Sequence, residues 1–143
     1  MRTIPLLGLI LLTLIAMLTA AFAGETDADG HALGTTVEMP FLIAPVVDGD
    51  DLVANAFVSS RIVARSAAAT LVVRDKLPFI QDAFVRDVNG QPIGKTNDLS
   101  QVDIAALKRR LEADAVRIVG RDHIESLQVI NVQVAPLTGE HHK

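Results

Sequence analysis

The sequence contains no cysteine, no tryptophan and no tyrosine in its 143 residues. Without cysteine, the chain forms no disulfide, no thiolate zinc site and no lipid-modified N-terminal cysteine. Phenylalanine occurs five times and is the only large aromatic residue type. A protein with so few aromatic rings is a poor match for aromatic cages, sugar-binding platforms and base-stacking surfaces.

An excess of positive charge is also missing. The chain has 13 Lys and Arg residues against 17 Asp and Glu residues, which gives a net charge of −4. Binding to nucleic acid or to anionic lipid depends on clustered basic side chains. We therefore predict no nucleic-acid partner. The residue patterns also predict no cofactor, no metal ion and no small-molecule substrate.

The longest apolar run is found at the N-terminus. Ile4 to Ala23 is 20 residues without a charge, enough for a helix to cross the roughly 30 Å hydrocarbon core of a membrane. Arg2 before this run, and Ala21 and Ala23 at its end, also fit a secretory signal that is cleaved after Ala23. We predict that residues 1–23 are a signal peptide or a membrane anchor, with cleavage slightly favoured. Both alternatives place the rest of the chain outside the cytoplasm.

Composition divides the remainder of the chain into three parts. Residues 24–37 are rich in Gly, Thr and Asp and have no hydrophobic period, so we predict a flexible linker. Residues 38–136 contain the apolar patterns and are enough chain for one domain. Residues 137–143 are predicted to be a disordered tail.

Two apolar runs flank the acidic sequence from Asp48 to Asp51, and this arrangement is typical of a β-hairpin. The first run, from Met39 to Val47, contains Pro45. Because proline has no backbone N–H, we expect this run to be an edge strand. The second run, from Leu52 to Val63, shows the clearest strand pattern in the sequence.

Alternation divides the second run into two faces. One face is apolar and is expected to lie under a layer of helices: Leu52, Ala54, Ala56, Val58 and Ile62. The other face is mixed and carries Val53, Phe57 and Val63. If helices cover only the first face, these three residues form an exposed apolar strip. Such strips usually mark an interface, so Val53, Phe57 and Val63 are our candidate interface residues.

Two helices are predicted after the hairpin. The first begins after the N-cap Ser66 and carries the apolar stripe Val73, Leu77, Ile80, Phe84 and Val88. We expect Pro78 to cause a kink or a restart of this helix near Lys76, and Gly90 to end it in the left-handed conformation. The second helix is predicted to begin at Ser100 and to end at Gly120, with the stripe Ile104, Leu107, Leu111, Ala115 and Ile118.

A last strand is predicted from Ile124 to Val134, and its alternation changes phase part-way along. A β-bulge near Gln128 explains this change, and so does a central strand that is apolar on both sides. The fold class is therefore α+β. We expect an N-terminal apolar helix, followed by a small antiparallel sheet, made of the hairpin and the C-terminal strand, and covered by two helices.

His123 is the only histidine that we expect on a structured element. It follows Asp122 directly before the last strand, where a loop histidine is more common than a catalytic base. The chain also has no thiol nucleophile and no histidine-rich ligand pattern. We therefore expect a protein that is not an enzyme.

Three features together resemble one protein family. They are the paired runs around Asp48 to Asp51, the string Lys76-Leu-Pro-Phe-Ile-Gln-Asp-Ala-Phe-Val85, and the ending Val119-Gly-Arg-Asp-His-Ile-Glu-Ser-Leu-Gln-Val-Ile-Asn-Val-Gln-Val134. In this order they are similar to the flagellar basal-body-associated FliL family. The resemblance covers roughly residues 38–136.

The resemblance implies a periplasmic domain of the stomatin-like (SPFH) type, anchored in the inner membrane by a single span. It also implies self-association and association with the stator units of the flagellar motor, in support of motility. The alternative is a domain of the same fold that is cleaved after Ala23, is free in the periplasm and has a non-flagellar partner.

Overall fold

A computed structural model of the chain describes residues 34–95 and 98–137, without the side chains of residues 95 and 98–101. The predicted leader with Ala21 and Ala23, most of the predicted linker, and the tail beyond Leu137 lie outside the described residues. The expected N-terminal apolar helix therefore lies outside them as well. The described residues belong to one compact unit that begins at Gly34.

The structure confirms the α+β class, with a small antiparallel sheet and two helices. The strands are β1 (Thr36–Glu38), β2 (Leu42–Asp48), β3 (Asp51–Ala64), β4 (Gly94–Lys95), β5 (Asp98–Val102) and β6 (Ile124–Pro136). The helices are α1 (Ala67–Gly90) and α2 (Ile104–Val119). In the described part of the chain, β4 and β5 form a separate two-stranded sheet.

The main sheet has four strands, and β3 lies at its centre. β6 pairs with β3 along nearly its whole length, from the pair Ala54–Pro136 to the pair Ala64–Ile124. β2 and β1 pair with successive parts of β3. Because these parts of β3 also pair with β6, β2 and β1 must lie end to end along the opposite edge. All pairings are antiparallel.

The predicted hairpin is confirmed as β2 and β3. Its turn contains Gly49 with a φ of +60°, a conformation that suits glycine in a two-residue hairpin turn. Asp48 pairs with Asp51 across this turn. Further along, the register shifts because Val46 pairs with Ala54 whereas Val47 pairs with Leu52. Val53 is therefore an extra, bulged residue in β3.

The predicted division of the strands into two faces is confirmed over most of their length. On the helix-side face, Leu42, Val58 and Val132 form one row across the sheet, and Ala44, Ala56 and Val134 form the next. The β2 and β3 members of these rows are almost fully buried. Leu52 is an exception, since it is 48% exposed. It lies beyond the bulge at Val53, where the alternation of β3 is shifted by one residue.

The phase change in the last strand arises from a bulge. Asn131 pairs with Ser59 and Val129 pairs with Ser60, so Ile130 has no partner in β3. The bulge that we predicted near Gln128 is thus present, two residues further along. β6 pairs only with β3 in the described residues, so it is an edge strand and not a central one.

Helix α1 begins where the sequence predicts. Ser66 is its N-cap, and the Ser66 side chain accepts a hydrogen bond from the backbone N–H of Ala69 at 3.1 Å. Pro78 lies inside the helix, which continues without interruption through it. Gly90 is the last helical residue and does not adopt a positive φ, so our expectation of a left-handed glycine there is wrong. The extended Gln91 ends the helix instead.

The start of the second helix is a second correction. Ser100 lies in β5, and α2 begins after the N-cap Asp103, whose side chain accepts a hydrogen bond from Ala106 N–H at 2.9 Å. Residues 91–99, which the sequence patterns predict as a loop between the two helices, contain β4 and the start of β5. Gly120, with a φ of +90°, ends α2 as predicted.

Both helices pack on the same face of the sheet, α1 against β1, β2 and β3, and α2 against β6. Phe84, Leu107 and Leu111 are core residues as predicted, and Leu77 is half-buried against them. The buried stripe of α2 is shifted by about one residue from the predicted stripe. It buries Leu107, Leu111, Ala115 and Val119, whereas Ile104 is 48% exposed.

β1 is part of the segment that we predicted as linker. Thr36 pairs with Val63, and the carbonyl of the buried Thr35 accepts a hydrogen bond from Ala64 N–H at 2.8 Å. The Thr70 hydroxyl donates a hydrogen bond to the Gly34 carbonyl at 3.0 Å. Residues 34–37 therefore belong to the folded unit, because β3 and α1 hold them in place.

Candidate association surface

The face of the main sheet opposite the helices, called the outer face below, is built by alternate residues of β2, β3 and β6. Ile43, Phe57 and Gln133 form one row across it, since Ile43 and Gln133 both pair with Phe57. The neighbouring row is Pro45, Asn55 and Ala135. Side chains directly opposite in antiparallel strands contact each other, so each row is a continuous strip.

Large apolar side chains are exposed on this face. Ile43 is 56% exposed and Phe57 is 39% exposed. Phe41, one residue before β2, is 76% exposed and alternates with the buried Leu42. The neighbouring Gln133 is also exposed. Phe41, Ile43 and Phe57 are therefore the centre of an apolar surface that nothing in the described residues covers.

Charge is confined to the ends of the outer face. Near β1, Glu38 is paired with Arg61, whose Nε donates a hydrogen bond to Gln128 Oε1 at 2.6 Å. At the other end, Asp48 and Asp51 flank the hairpin turn. The middle of the face, from Ser59 to Asn55 on β3 and across to β6, has no charged side chain. An uncharged apolar partner surface is the natural complement of such a region.

Of the three predicted interface residues, the structure leaves only Phe57 on an exposed strip. Val53 is half-buried and packs against the core because the bulge turns it away from the alternating pattern. Val63 is fully buried, so the expectation that it is exposed is wrong. The interface hypothesis thus keeps Phe57 and acquires Phe41 and Ile43.

Val63 is fully buried although it lies between two paired strands on the outer side of β3. It pairs with Thr36 of β1 on one side and with Ser126 of β6 on the other. Along β3, Arg61 and Arg65 lie two residues before and after it, on the same side of the strand. Arg65 Nε donates a hydrogen bond to the Arg121 carbonyl at 3.3 Å.

A second feature is an open cleft of about 530 Å³ between the two helices, and its lining includes Arg86, Asp87, Asp114 and Arg117. At one side of the cleft, Arg110 of α2 reaches Asp87 of α1, with an Nη2–Oδ2 distance of 2.8 Å. Arg110 also donates a hydrogen bond to the Pro92 carbonyl at 3.0 Å. One guanidinium therefore joins α2, the end of α1 and the loop that follows it.

Burial raises the pKa of the Asp114 carboxyl above its ordinary value of 3.8. The positive charge of Arg117, whose Nη2 lies 2.6 Å from Asp114 Oδ1, opposes this shift, whereas the charge of Asp87 adds to it. The ionised carboxyl is thus less favourable in the fold than in water. The arrangement is balanced in sign, with each arginine of the cleft beside an aspartate.

His123 lies in the turn between α2 and β6 and is half-buried. Its backbone N–H donates a hydrogen bond to the Gly120 carbonyl at 3.2 Å, and its carbonyl accepts one from Arg65 N–H at 3.1 Å. The buried Nδ1 atom has no hydrogen-bond partner. These backbone contacts place His123 as a turn residue between α2 and β6 that is bonded to Arg65, the residue directly after β3.

Phe41 and Ile43 are functional candidates that the sequence analysis missed. A two-residue turn without a bulge would pair Ile43 with Ala56 and not with Phe57. The extra residue Val53 shifts the register by one and brings Ile43 beside Phe57. The available signal was the alternation of Phe41, Leu42, Ile43 and Ala44, which places the two larger side chains on one face.

No protein-family model and no curated protein is significantly similar to the chain. Neither helix of the described region is sufficiently long and apolar to span a membrane. Within residues 34–95 and 98–137, no group of three or more side chains is arranged to hold a metal ion.

Proposed function

We propose that this chain is an exported, non-enzymatic association domain that serves as an accessory protein of the flagellar motor. The single observation that carries the association is the exposed apolar surface of Phe41, Ile43 and Phe57. The resemblance of residues 38–136 to the FliL family supports the flagellar assignment. The uncharged run from Ile4 to Ala23 supports export, with the domain anchored in the inner membrane or released after cleavage.

The outer face is proposed to contact a component of the motor, such as a stator unit. Burial of Ile43 and Phe57 would remove most of their exposed apolar area from water, which stabilises a complex by roughly 25 cal/mol per Å². Because the middle of the face is uncharged, the matching partner surface is apolar and also uncharged. Aromatic side chains at the centre of a patch often contribute most of the binding energy.

A cleaved, freely periplasmic domain with a non-flagellar partner is the second candidate. The observation that favours it is the fit of Ala21 and Ala23 to a cleavage site, together with the single basic residue, Arg2, before the apolar run. Both candidates use the same outer face. They differ in the partner and in the fate of the leader.

The variant Phe57→Asp tests the proposal. A carboxylate in the middle of the Ile43–Phe57–Gln133 row should abolish partner binding, because it would be desolvated without a counter-charge. The expected results are loss of swimming in soft agar and loss of co-purification with motor components. The urea midpoint of the variant should stay near that of the natural protein, because Phe57 is already partly exposed.

Leu71→Asp is the matched control. Leu71 is 66% exposed on α1, on the helix side of the sheet, so the substitution adds the same charge at an exposed apolar site away from the outer face. We expect normal swimming and normal co-purification. If both variants swim normally, the outer face is not the motor contact. If deletion of the whole gene leaves swimming unchanged, the flagellar role is rejected.

A further inference from the structure

The two edges of the main sheet differ in how well they are protected against strand pairing. The β2 edge contains Pro45, which has no N–H, and the register shift at Val46 and Val47. Both features are common devices that prevent an edge strand from pairing with another chain. The β6 edge has neither device along residues 131–135. It also has no charged residue between Glu125 and Glu140.

The backbone groups of β6 that point away from β3 can be identified from the ladder. Leu137 N–H donates a hydrogen bond to the Val53 carbonyl at 2.9 Å. In an antiparallel ladder, alternate residues exchange hydrogen bonds with the partner strand. Leu137, Ala135 and Gln133 therefore bond to β3. Val132 and Val134, which lie between them, direct their N–H and C=O groups outward.

The first half of this edge is covered and the second half is open. Near the start of β6, the Leu127 N–H has a side-chain acceptor, since it donates to Glu112 Oε2 of α2 at 3.4 Å. Val132 and Val134 have no partner strand on this side in the described residues, because β6 pairs only with β3 there. Their side chains are half-buried and pack against the core. An open edge with apolar side chains beside it is a surface for the addition of a strand.

We infer that β6 pairs with β6 of a second copy of this chain, antiparallel and centred on Gln133. This inference deepens the proposed association function, and the use of the dimer rests on that function. The pairing itself involves the β6 edge and not the outer face. Self-pairing is electrostatically allowed because residues 126–139 carry no charge. Like charges placed directly opposite each other would oppose it.

The outward groups select the register. Residues exchange hydrogen bonds across an antiparallel pair only where outward groups oppose outward groups. With Gln133 on the two-fold axis, Val132 of each copy opposes Val134 of the other. If the pairing were centred one residue closer to Pro136, Val132 would pair with Pro136, which has no N–H. If it were centred one residue closer to Ile130, Val134 would pair with the bulged Ile130. The centre at Gln133 avoids both.

The resulting dimer has a continuous sheet with both sets of helices on one face. The two-fold axis is perpendicular to the sheet, so the outer faces of both copies lie on the same side. Each copy then presents its Phe57 surface in the same direction, and the partner could be bound twice. Two linked contacts bind more tightly than one because the second has a high effective concentration.

A single cysteine tests the register directly, since the natural chain has none. In Gln133→Cys, the two thiols would face each other at the two-fold axis, in a non-hydrogen-bonded pair with Cα atoms about 4.5 Å apart. This separation suits a disulfide. Asn131→Cys is the matched control because Asn131 is exposed on the same face of β6. Its copies would be about 14 Å apart, four residues at about 3.4 Å each.

The experiment uses the full chain, treated with a mild oxidant and separated on a non-reducing gel. We expect at least about ten-fold more disulfide dimer from Gln133→Cys than from Asn131→Cys, since only the first pair is within disulfide reach. Equal yields from the two variants indicate random collision and overturn the inference. No dimer from either variant, or a greater yield from Asn131→Cys, also overturns it.

The outcome is separable from that of the outer-face proposal. The double variant Gln133→Cys with Ile43→Asp should still form the disulfide, because Ile43 lies on β2, two strands away from the paired edge. If the disulfide fails to form while Phe57→Asp alone still abolishes swimming, the edge pairing is rejected and the proposed function stands. If the disulfide forms and Phe57→Asp swims normally, the dimer stands and the motor contact is rejected.

Discussion

The two faces of the main sheet use neighbouring residues of the same strands in opposite ways. On the helix-side face, Ala44, Ala56 and Val58 are fully buried. One residue along each strand, Ile43 and Phe57 are exposed on the outer face. At these positions the larger side chains lie on the face that folding leaves open, whereas the helix-side face also buries large side chains such as Leu42 and Ile62.

This difference separates stability from association. The helix-side face supplies large side chains such as Leu42 and Ile62 to the core, where they join Phe84, Leu107 and Leu111 of the helices. The outer face contributes little to the core, so its large apolar side chains are available for binding. The helix-side face should therefore be sensitive to truncation, whereas the outer face should tolerate polar substitution.

The largest expected effect is on the helix-side face. Leu107→Ala should lower the free energy of unfolding by about 2–5 kcal/mol, because Leu107 is only 1% exposed and its removal leaves a cavity. Ile104→Ala, three residues earlier on α2, is the control. Ile104 is 48% exposed, and the expected loss is below about 0.5 kcal/mol. Urea midpoints measure both, and equal losses would show that α2 does not pack as described.

The contact that holds the helices together over this face should have the next largest effect. Arg110→Met removes the guanidinium that pairs with Asp87 and leaves a carboxylate whose side chain is 10% exposed without its partner. We expect a loss of about 1.5–3 kcal/mol, typical of hydrogen bonds to charged groups. Arg109→Met, on the adjacent exposed position, is the control and should change stability little. Similar losses in the two variants would mean that the Asp87 pair contributes nothing specific.

Local patterns were sufficient to predict the elements that depend on neighbouring residues in the sequence. The hairpin needs only the turn around Gly49 and two apolar runs. Helix α1 needs only the cap at Ser66 and the stripe that includes Phe84. The elements that were missed depend on distant contacts. β1 is a strand because Thr36 pairs with Val63, and no alternation in three residues could show this.

Register explains the errors at the candidate surface. Phe57 was predicted because it alternates with buried residues of its own strand. Ile43 was missed because its position beside Phe57 depends on the bulge at Val53, an irregularity that alternation does not reveal. Val63 was misplaced because it lies between β1 and β6, and the position of β1 beside it was not predicted. A strand pattern identifies the face of a residue, but what covers that face depends on the rest of the fold.

The smallest expected effect is a pH dependence at the cleft between the helices on the helix-side face. Since burial raises the pKa of Asp114, the folded chain keeps a proton that the unfolded chain has already released above pH 3.8. The free energy of unfolding should therefore fall as the pH rises from this value through the raised pKa, and then become constant.

Asp114→Asn should remove that fall, so the variant gains stability relative to the natural protein as the pH rises. Arg117→Gln should widen the pH window, because the charge of Arg117 opposes the shift most strongly. Urea midpoints measured at intervals from below pH 3.8 to neutral pH would check both signs. Parallel curves for the natural protein and Asp114→Asn would mean that solvent reaches the carboxyl and that the helices do not bury it.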